Sequence, residues 1–198
     1  MDFTAKPYLL VVTGRPGSGK TTFAKALSDE IFMPVISRDQ IKEGYVHTFG
    51  KKHAELGDDT NKRVTDIFFD TLRYLTANKI SVIAEAAFQH SIWSSMLEPF
   101  MEMTRIYLLI CRVDGMTALD RFIKRGLENS LREYFHGDIG VGLARKGIEP
   151  KANPYEEPRL DAPTFIVDTS EAYVPSVQDL KRMILKEHKM TSRGDKNV

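Results

Sequence analysis

The sequence has one cysteine, Cys111, in 198 residues. It therefore has no internal disulfide, and cysteine-based zinc chemistry is not expected. Its five histidines are scattered and match no metal-ligand spacing. Charge of one sign is also scarce. Lys and Arg number 28 against 27 Asp and Glu, for a net charge of +1. No chain-wide basic field draws nucleic acid or an anionic membrane, although a local basic groove stays open. Long apolar runs are missing too. The cleanest are YLLVV and IYLLIC, far short of a spanning helix. The opening stretch MDFTAKPYLL lacks a cleavable signal pattern, so the expected location is the cytoplasm, with no membrane partner. No internal repeat or low-complexity tract interrupts the chain.

What remains is an ordinary globular composition, 42% hydrophobic and 28% charged, in which strand and helix patterns alternate. Strands are predicted at Tyr8–Val12, Pro34–Ser37, Ser81–Ala84, Arg105–Cys111 and Thr164–Val167. Between them lie helical patterns at 22–31, 38–46, 59–77, 92–103 (interrupted near Pro99) and 117–127, with a last one at 177–188. In the helix over 59–77 the apolar face is read as Val64, Ile67, Phe68, Leu72 and Leu75. Strands separated by helices predict an α/β fold, a parallel sheet with helices on both faces. Right-handed crossovers bring all strand C-termini to one edge, where ligands bind. The residues just past the strands are therefore the ones to inspect: Gly14, Ser37, Glu85, Arg112 and Asp168. A single domain is expected over 1–189, with a mobile lid or substrate segment over 126–163 and a disordered tail over 190–198. The lid should hold a helix near Asn129–Phe135 and then a Gly- and Pro-rich stretch.

The first strand runs into GRPGSGKT, Gly14–Thr21, which matches G-x-x-x-x-G-K-[ST] between a strand and a helix. Gly14, Gly17 and Gly19 let the backbone N–H groups of Arg15, Pro16's neighbours and Ser18 turn toward phosphate oxygens. The helix that opens with Thr22 adds partial positive charge at its N-terminus. Lys20 is expected at the β- and γ-phosphates and the Thr21 hydroxyl on Mg²⁺. The implied ligands are ATP and Mg²⁺ in a three-layer P-loop NTPase fold with strand order 2-3-1-4-5.

A GTPase would need a D-x-x-G switch, and no aspartate here has glycine three residues on. Asn78-Lys79-Ile80-Ser81 lacks the aspartate of a guanine-reading N-K-x-D. A motor or AAA-type ATPase is expected to need more chain and an Asp-Glu pair closing strand three, which here ends Ala84-Glu85. Small P-loop kinases remain. After strand two comes ISRDQIKEG. Asp39 would stand at the sheet edge beside the phosphate loop, where a kinase needs a carboxylate to accept the acceptor hydroxyl's hydrogen. The competing reading is local: Ser37-x-x-Gln40 is a capping box, and an acid in a first helical turn suits the dipole. Arg38 and Lys42 suit a transferred phosphoryl group or an anionic substrate, or else a solvated helix face.

GRPGSGKTT followed by SRDQIK resembles the phosphate loop and R-D-x-x-[RK] segment of phage-type polynucleotide 5′-kinases. It is similar also to the zeta-toxin and chloramphenicol-phosphotransferase groups, AAA-type ATP-binding P-loop kinases. In ALDRFIKRG the resemblance implies two lid arginines on ATP, Arg121 and Arg125, with the alternative of surface pairing to Asp120 or Glu128. YEEPRLDAPTFIVDT resembles the end segment of adenylylsulfate kinases, which implies that Asp168, Thr169 and Ser170 line the base pocket. One departure stands out: the acid closing strand three is Glu85, where polynucleotide kinases have aspartate. Glu85 is expected to hold Mg²⁺ through water, to contact the acceptor, or to be a structural acid paired with Lys or Arg.

The acceptor is read as a small-molecule hydroxyl, because a dedicated nucleic-acid enzyme would carry a basic stripe. The nearest thing to one, Lys42, Lys51, Lys52, Lys62 and Arg63, is diluted by Glu43, Glu55, Asp58 and Asp59. Tyr45, His47, Phe49 and His53 form a possible cover. A 5′-hydroxyl polynucleotide kinase and a non-catalytic or toxin-like ATP-binding protein are the alternatives.

Overall fold

The computed structural model describes residues 5–151 and 154–194. Five strands form one parallel sheet: β1 (Tyr8–Thr13), β2 (Val35–Ser37), β3 (Val82–Glu85), β4 (Arg105–Arg112) and β5 (Thr164–Asp168). Their order is β2-β3-β1-β4-β5, as the alternating pattern predicts. Six main helices connect and cover them: α1 (Lys20–Ile31), α2 (Arg38–Phe49), α3 (Thr60–Ala77), α4 (His90–Leu97), α5 (Gly115–Glu128) and, at 177–194, a helix numbered α8 below. Two short helices, α6 (Leu131–His136) and α7 (Ile139–Arg145), stand between α5 and β5.

Period-2 alternation divides the core. Leu10 and Val12 of β1 face α1 and the last helix, where they meet Phe23, Leu27, Leu109, Leu180 and Ile184. Leu9 and Val11 face α3 and α4, with Phe68, Phe69, Leu72, Trp93 and Leu97. Phe68, Phe69, Phe88 and Trp93 form one aromatic cluster with centroids 5.1–6.3 Å apart. Ile67 was expected inside α3, but it is exposed and Phe69 takes its place. The buried stripe runs Val64–Phe68–Leu72–Thr76 with Phe69 beside it, and Ile67 falls on the opposite flank.

Three further differences concern boundaries. The helix after β2, expected over 38–46, continues to Phe49, where Gly50 ends it in a left-handed conformation. The lid segment holds α7 as well as the expected helix near 129–135. Helix α8 (Val177–Gly194) runs past the expected end at His188, and residues 195–198 of the expected tail lie outside the described residues.

Register is what places the site. Val12 pairs with Glu85 across β1 and β3, and Ser37 pairs with Glu85 across β2 and β3. On the other side Arg112 pairs with Asp168. Val12, Glu85 and Ser37 therefore share one level at the sheet's C-terminal edge, whereas Val12 is level with Leu109 on β4, so Arg112 and Asp168 project three residues further along the same edge.

Candidate active site

The loop between β1 and α1 needs glycine at three places, and at the first, Gly14, a Cβ would lie 2.5 Å from the Cys111 carbonyl oxygen. Gly17 has φ +83°, and a Cβ there would lie 1.9 Å from the Ala118 carbonyl oxygen of α5. Gly19, at φ +81°, sets the left-handed turn that starts α1 at Lys20. The loop is thereby pressed against α5, and the α1 N-terminus points at the space above the sheet edge. The Ser18 hydroxyl is buried without a hydrogen-bond partner. The Lys20 ammonium is buried and its only ion pair among the described residues is long, 3.9 Å to Glu85 Oε1. An orphaned buried hydroxyl and an under-used cation at a helix start fit a bound polyphosphate.

Glu85 is buried in the middle of this arrangement. Ser37 Oγ donates to its Oε2 at 2.6 Å, and Thr21 Oγ1 donates to its Oε1 at 3.2 Å. The capping-box reading of Ser37 fails here. Ser37 is the residue before α2, but its hydroxyl caps nothing and goes to Glu85 instead. One carboxylate next to the loop threonine is the donor set that Mg²⁺ takes when phosphates supply the remaining ligands.

Asp39 opens the first turn of α2. Its side chain is half exposed, and Arg38 Nη1 lies 3.5 Å from its Oδ1. Desolvation alone would raise its pKa. The positive fields of Lys20, then His136, Arg38 and Lys42, outweigh this and hold the carboxyl below the ordinary carboxylate range. It therefore stands as a carboxylate at the rim of an open groove of about 640 Å³ that continues along α3 and α4.

A second groove, about 560 Å³, lies on the other side of the loop, between Gly19, Thr22, Arg125, Thr169 and Tyr173. Of the two, only this second groove is lined by residues of the phosphate loop, Gly17 and Gly19; the first is tied to the loop through Asp39, which lies in the field of Lys20.

Residues 9–137, more than half of the chain, match the family described as AAA domain. The chain belongs to this family. No curated protein sequence matches it significantly. Among solved structures it is similar to a protein of Chloroflexus aurantiacus provisionally described as a kinase, at TM-score 0.72 and 19% identity, over 92% of this chain and 98% of that one. It is similar to the adenylylsulfate (APS) kinase CysC of Mycobacterium tuberculosis, solved with AMPPNP and APS, at TM-score 0.57 and 14% identity, over 91% and 96%. It is also similar to a chain of the Pnkp1/Rnl/Hen1 RNA repair complex, at TM-score 0.55 and 19% identity, over 81% of this chain and 52% of that one. At such identities these likenesses establish a shared P-loop fold.

Within this family member the lid arginines divide. Arg121 donates to the carbonyls of Thr169 (3.0 Å) and Ser170 (2.5 Å), so its guanidinium ties α5 to the loop after β5. Arg125 makes no such tie. Partial burial, and then the neighbouring charge of Arg132, lower its pKa, while Asp138, Asp39 and Glu85 oppose the shift. Its charge neighbours are thus Arg132 first, then Asp138, and after these Asp39 and Glu85. Thr169 is buried and donates to the Ser18 carbonyl at 2.6 Å, which joins the β5 end to the phosphate loop. Asp168 is exposed and accepts from the Ser170 N–H at 2.7 Å, closing a local turn. Arg15 leaves the phosphate side and lies over the start of α5, its Nη1 within 2.7 Å of where a Gly115 Cβ would be.

Lys42 is placed away from the groove beside Asp39. It is buried, and its ammonium donates to the His136 carbonyl of α6 at 3.1 Å. Burial, then Arg38, lower its pKa to about 8. His136 Nε2 meets Glu43 Oε1 at 2.9 Å, a second link between α2 and α6. Tyr45 and Phe49 pair with each other at 4.8 Å, and His47 with Phe135 at 4.6 Å. Of the expected cover, His47 thus packs on Phe135 of α6, while Tyr45 and Phe49 pair within α2.

Sequence reasoning missed Ser37 as a partner of Glu85, and it missed His136, Arg132 and Asp138 at the lid. It also missed Thr13, whose hydroxyl receives Trp93 Nε1 at 3.0 Å, donates to the Ala86 carbonyl at 2.9 Å and meets Tyr155 OH at 2.9 Å. A polar residue ending an all-apolar strand was the available signal. The lone Cys111 is buried at the base of the loop, and desolvation pushes its pKa up to about 12, so it is no reactive thiol.

Proposed function

We propose that the protein is an ATP-dependent kinase that transfers the γ-phosphoryl group to a hydroxyl of a small molecule. The observation that carries this reading is the position of Asp39, an ionised and half-exposed carboxylate at the rim of the open groove and within the field of Lys20 of the phosphate loop. The kinase description of structures sharing the fold agrees with it.

In the proposed reaction Asp39 accepts the hydroxyl hydrogen as the acceptor oxygen bonds to the γ-phosphorus. The bond from that phosphorus to the β,γ-bridging oxygen breaks, and ADP carries the electron pair away. Lys20, the loop amides and Arg125 hold the phosphoryl oxygens and neutralise the charge that gathers on them. Thr21 and Glu85 are the residues that would hold Mg²⁺, which when bound supplies further neutralisation of the phosphates. Positioning supplies most of the remaining rate.

The test is incubation with Mg-ATP and a mixed panel of nucleosides, sugars, aminoglycoside and phenicol antibiotics, adenylylsulfate and 5′-hydroxyl oligonucleotides. Every acceptor is followed by its phosphate mass shift. Asp39→Asn should bind ATP normally and transfer about 10²–10⁴-fold more slowly. Equal rates in the variant, or loss of thermal stability alone, would reduce Asp39 to a helix-start residue.

A further inference from the structure

One hydroxyl gathers four segments at the sheet edge. Thr13, the last residue of β1, is fully buried. Its Oγ1 donates to the Ala86 carbonyl just past β3 at 2.9 Å and accepts from Trp93 Nε1 of α4 at 3.0 Å. Tyr155 OH lies 2.9 Å from the same oxygen. A hydroxyl has a single proton, and that of Thr13 is committed to Ala86. Tyr155 is therefore the donor, and Thr13 Oγ1 makes one donated and two accepted bonds, its full complement. Burial raises the pKa of the Tyr155 phenol, which keeps the proton it donates. The Gly14 N–H faces the same phenolic oxygen. Tyr155 thus stands at the joint where β1 gives way to the phosphate loop.

Tyr155 is itself held from two sides. Gln89 Nε2 donates to the Pro154 carbonyl at 3.1 Å, and Gln89 Oε1 accepts from the Glu156 N–H at 2.6 Å. The His90 N–H donates to the Glu156 carbonyl at 3.0 Å, and His90 Nδ1 accepts from the Arg159 N–H at 3.2 Å. At the end of β4 Arg112 donates twice to Glu157, at 3.0 and 2.6 Å. Residues 154–159 form neither helix nor strand, yet these bonds strap them across the sheet edge from the start of α4 to the end of β4.

The second half of the phosphate loop is clamped separately, by Gly17 against Ala118 and by Thr169 on the Ser18 carbonyl. How the first half leaves β1 is set at Thr13 and Gly14. Trp93, which shares Thr13 with Tyr155, belongs to α4, whose Ser91, Ile92, Ser95 and Met96 line the groove beside Asp39. Thr13 therefore keeps the start of the loop in register with that groove. Register matters to a transfer reaction, because a misplacement of ~1 Å costs up to about 10²-fold in rate.

We propose that Tyr155 is a positioning residue for phosphoryl transfer: through Thr13 its hydroxyl fixes the start of the phosphate loop relative to α4, and so aligns the γ-phosphoryl group with an acceptor hydroxyl at Asp39. This rests on the kinase reading of the same site.

The test compares Tyr155→Phe, Thr13→Val and Thr13→Ser variants of the full chain with the wild type. Turnover is measured with Mg-ATP and the panel acceptor that the wild type phosphorylates fastest. Tyr155→Phe keeps the ring and loses the hydroxyl, so kcat should fall about 10–100-fold while the Kd for ADP changes by less than about twofold. Thr13→Val should lose as much, and Thr13→Ser, which keeps the oxygen, should recover to within about threefold of the wild type. A second readout needs no turnover. In ¹⁵N spectra with Mg²⁺ and the non-hydrolysable analogue AMPPNP, the Arg15 and Gly17 amides should shift or broaden in Tyr155→Phe, while those of Gly19 and Thr21 keep their positions. Thr13→Val takes both readouts if Tyr155→Phe does not fold. A lower melting temperature with wild-type kcat per folded molecule would overturn the proposal. So would Arg15 and Gly17 amides that match the wild type, or a loss of ADP affinity as large as the loss of kcat. The two readings fail separately. Perturbed Arg15 and Gly17 amides, with no panel acceptor phosphorylated by the wild type, would sink the kinase and keep Tyr155 as the residue that sets the loop. Transfer that Tyr155→Phe leaves unchanged would keep the kinase and sink the positioning role.

Discussion

Replacing Glu85 with glutamine tests whether this acid serves the metal or merely pairs with lysine. Glutamine keeps the shape, and the Ser37 and Thr21 hydroxyls can rotate to match an amide, so the two hydrogen bonds at 2.6 and 3.2 Å are recoverable. Only the charge is lost. At 3.9 Å from Lys20 and an effective dielectric constant of about 20, that charge is worth roughly 4 kcal/mol of gross attraction. Desolvation of two buried groups cancels much of this, so a net change of about 1–2 kcal/mol is expected. The sign differs with the ligand. Without metal, Glu85 repels the triphosphate and competes for Lys20, so Glu85→Gln should bind ATP in EDTA about tenfold more tightly, or ~1.4 kcal/mol. With Mg²⁺ the same variant lacks the carboxylate that suits the ion, and transfer should fall by about 10² or more, ~3 kcal/mol. Calorimetric titration with ATP in EDTA and in Mg²⁺, beside a labelled-phosphate transfer assay, reads both. A purely structural acid would give the opposite pattern: a lower melting temperature, with unchanged metal dependence and unchanged turnover per folded molecule. That result would refute the assignment.

The other expectations are more local. Arg125→Ala should slow turnover at least tenfold with little change in melting temperature, whereas Arg121→Ala should lower the melting temperature by releasing the Thr169 and Ser170 carbonyls. Thermal melts and initial rates of both variants separate the roles, and identical behaviour would contradict the division. Gly17→Ala should destabilise the fold by about 2 kcal/mol or more, because φ is +83° and its Cβ would meet the Ala118 oxygen at 1.9 Å. A wild-type denaturation midpoint would show that the loop stands off α5. Lys42 has its pKa lowered to about 8 from 10.5, so between those values the unfolded chain binds more protons than the folded one, and stability rises with pH. Relative to Lys42→Met, the wild type should gain about 2 kcal/mol between pH 7 and 9.5 in urea melts, and parallel pH profiles would exclude a buried ammonium.

Much of this arrangement is written locally, and that part was legible. Alternation of strands and helices carries the sheet order, because handed crossovers leave few ways to assemble βαβ units. The phosphate loop is contiguous, so motif and context suffice for Gly14–Thr21. What joins distant segments was not legible. Ser37 looked like a cap because Gln40 follows at the right spacing, yet its hydroxyl has a buried carboxylate 48 residues away to satisfy. Donating to a desolvated anion turns the hydroxyl toward Glu85, so its oxygen is no longer aimed at the solvent-exposed helix N–H groups from which a cap would accept. Lys42 looked like a substrate contact because it lies one turn beyond Arg38, but the lid segment folds back over it. Arg121 and Arg125 are indistinguishable by spacing and differ only in what β5 offers them. In each case a local pattern singled the residue out, and a partner distant in sequence set its contacts. The apolar part of the groove beside Asp39 has the same origin. Phe88 and Ile92 fall on either side of the α4 start, where neither helical nor strand period joins them. Only the Phe68–Phe69–Trp93 cluster beneath brings them into one surface next to Asp39.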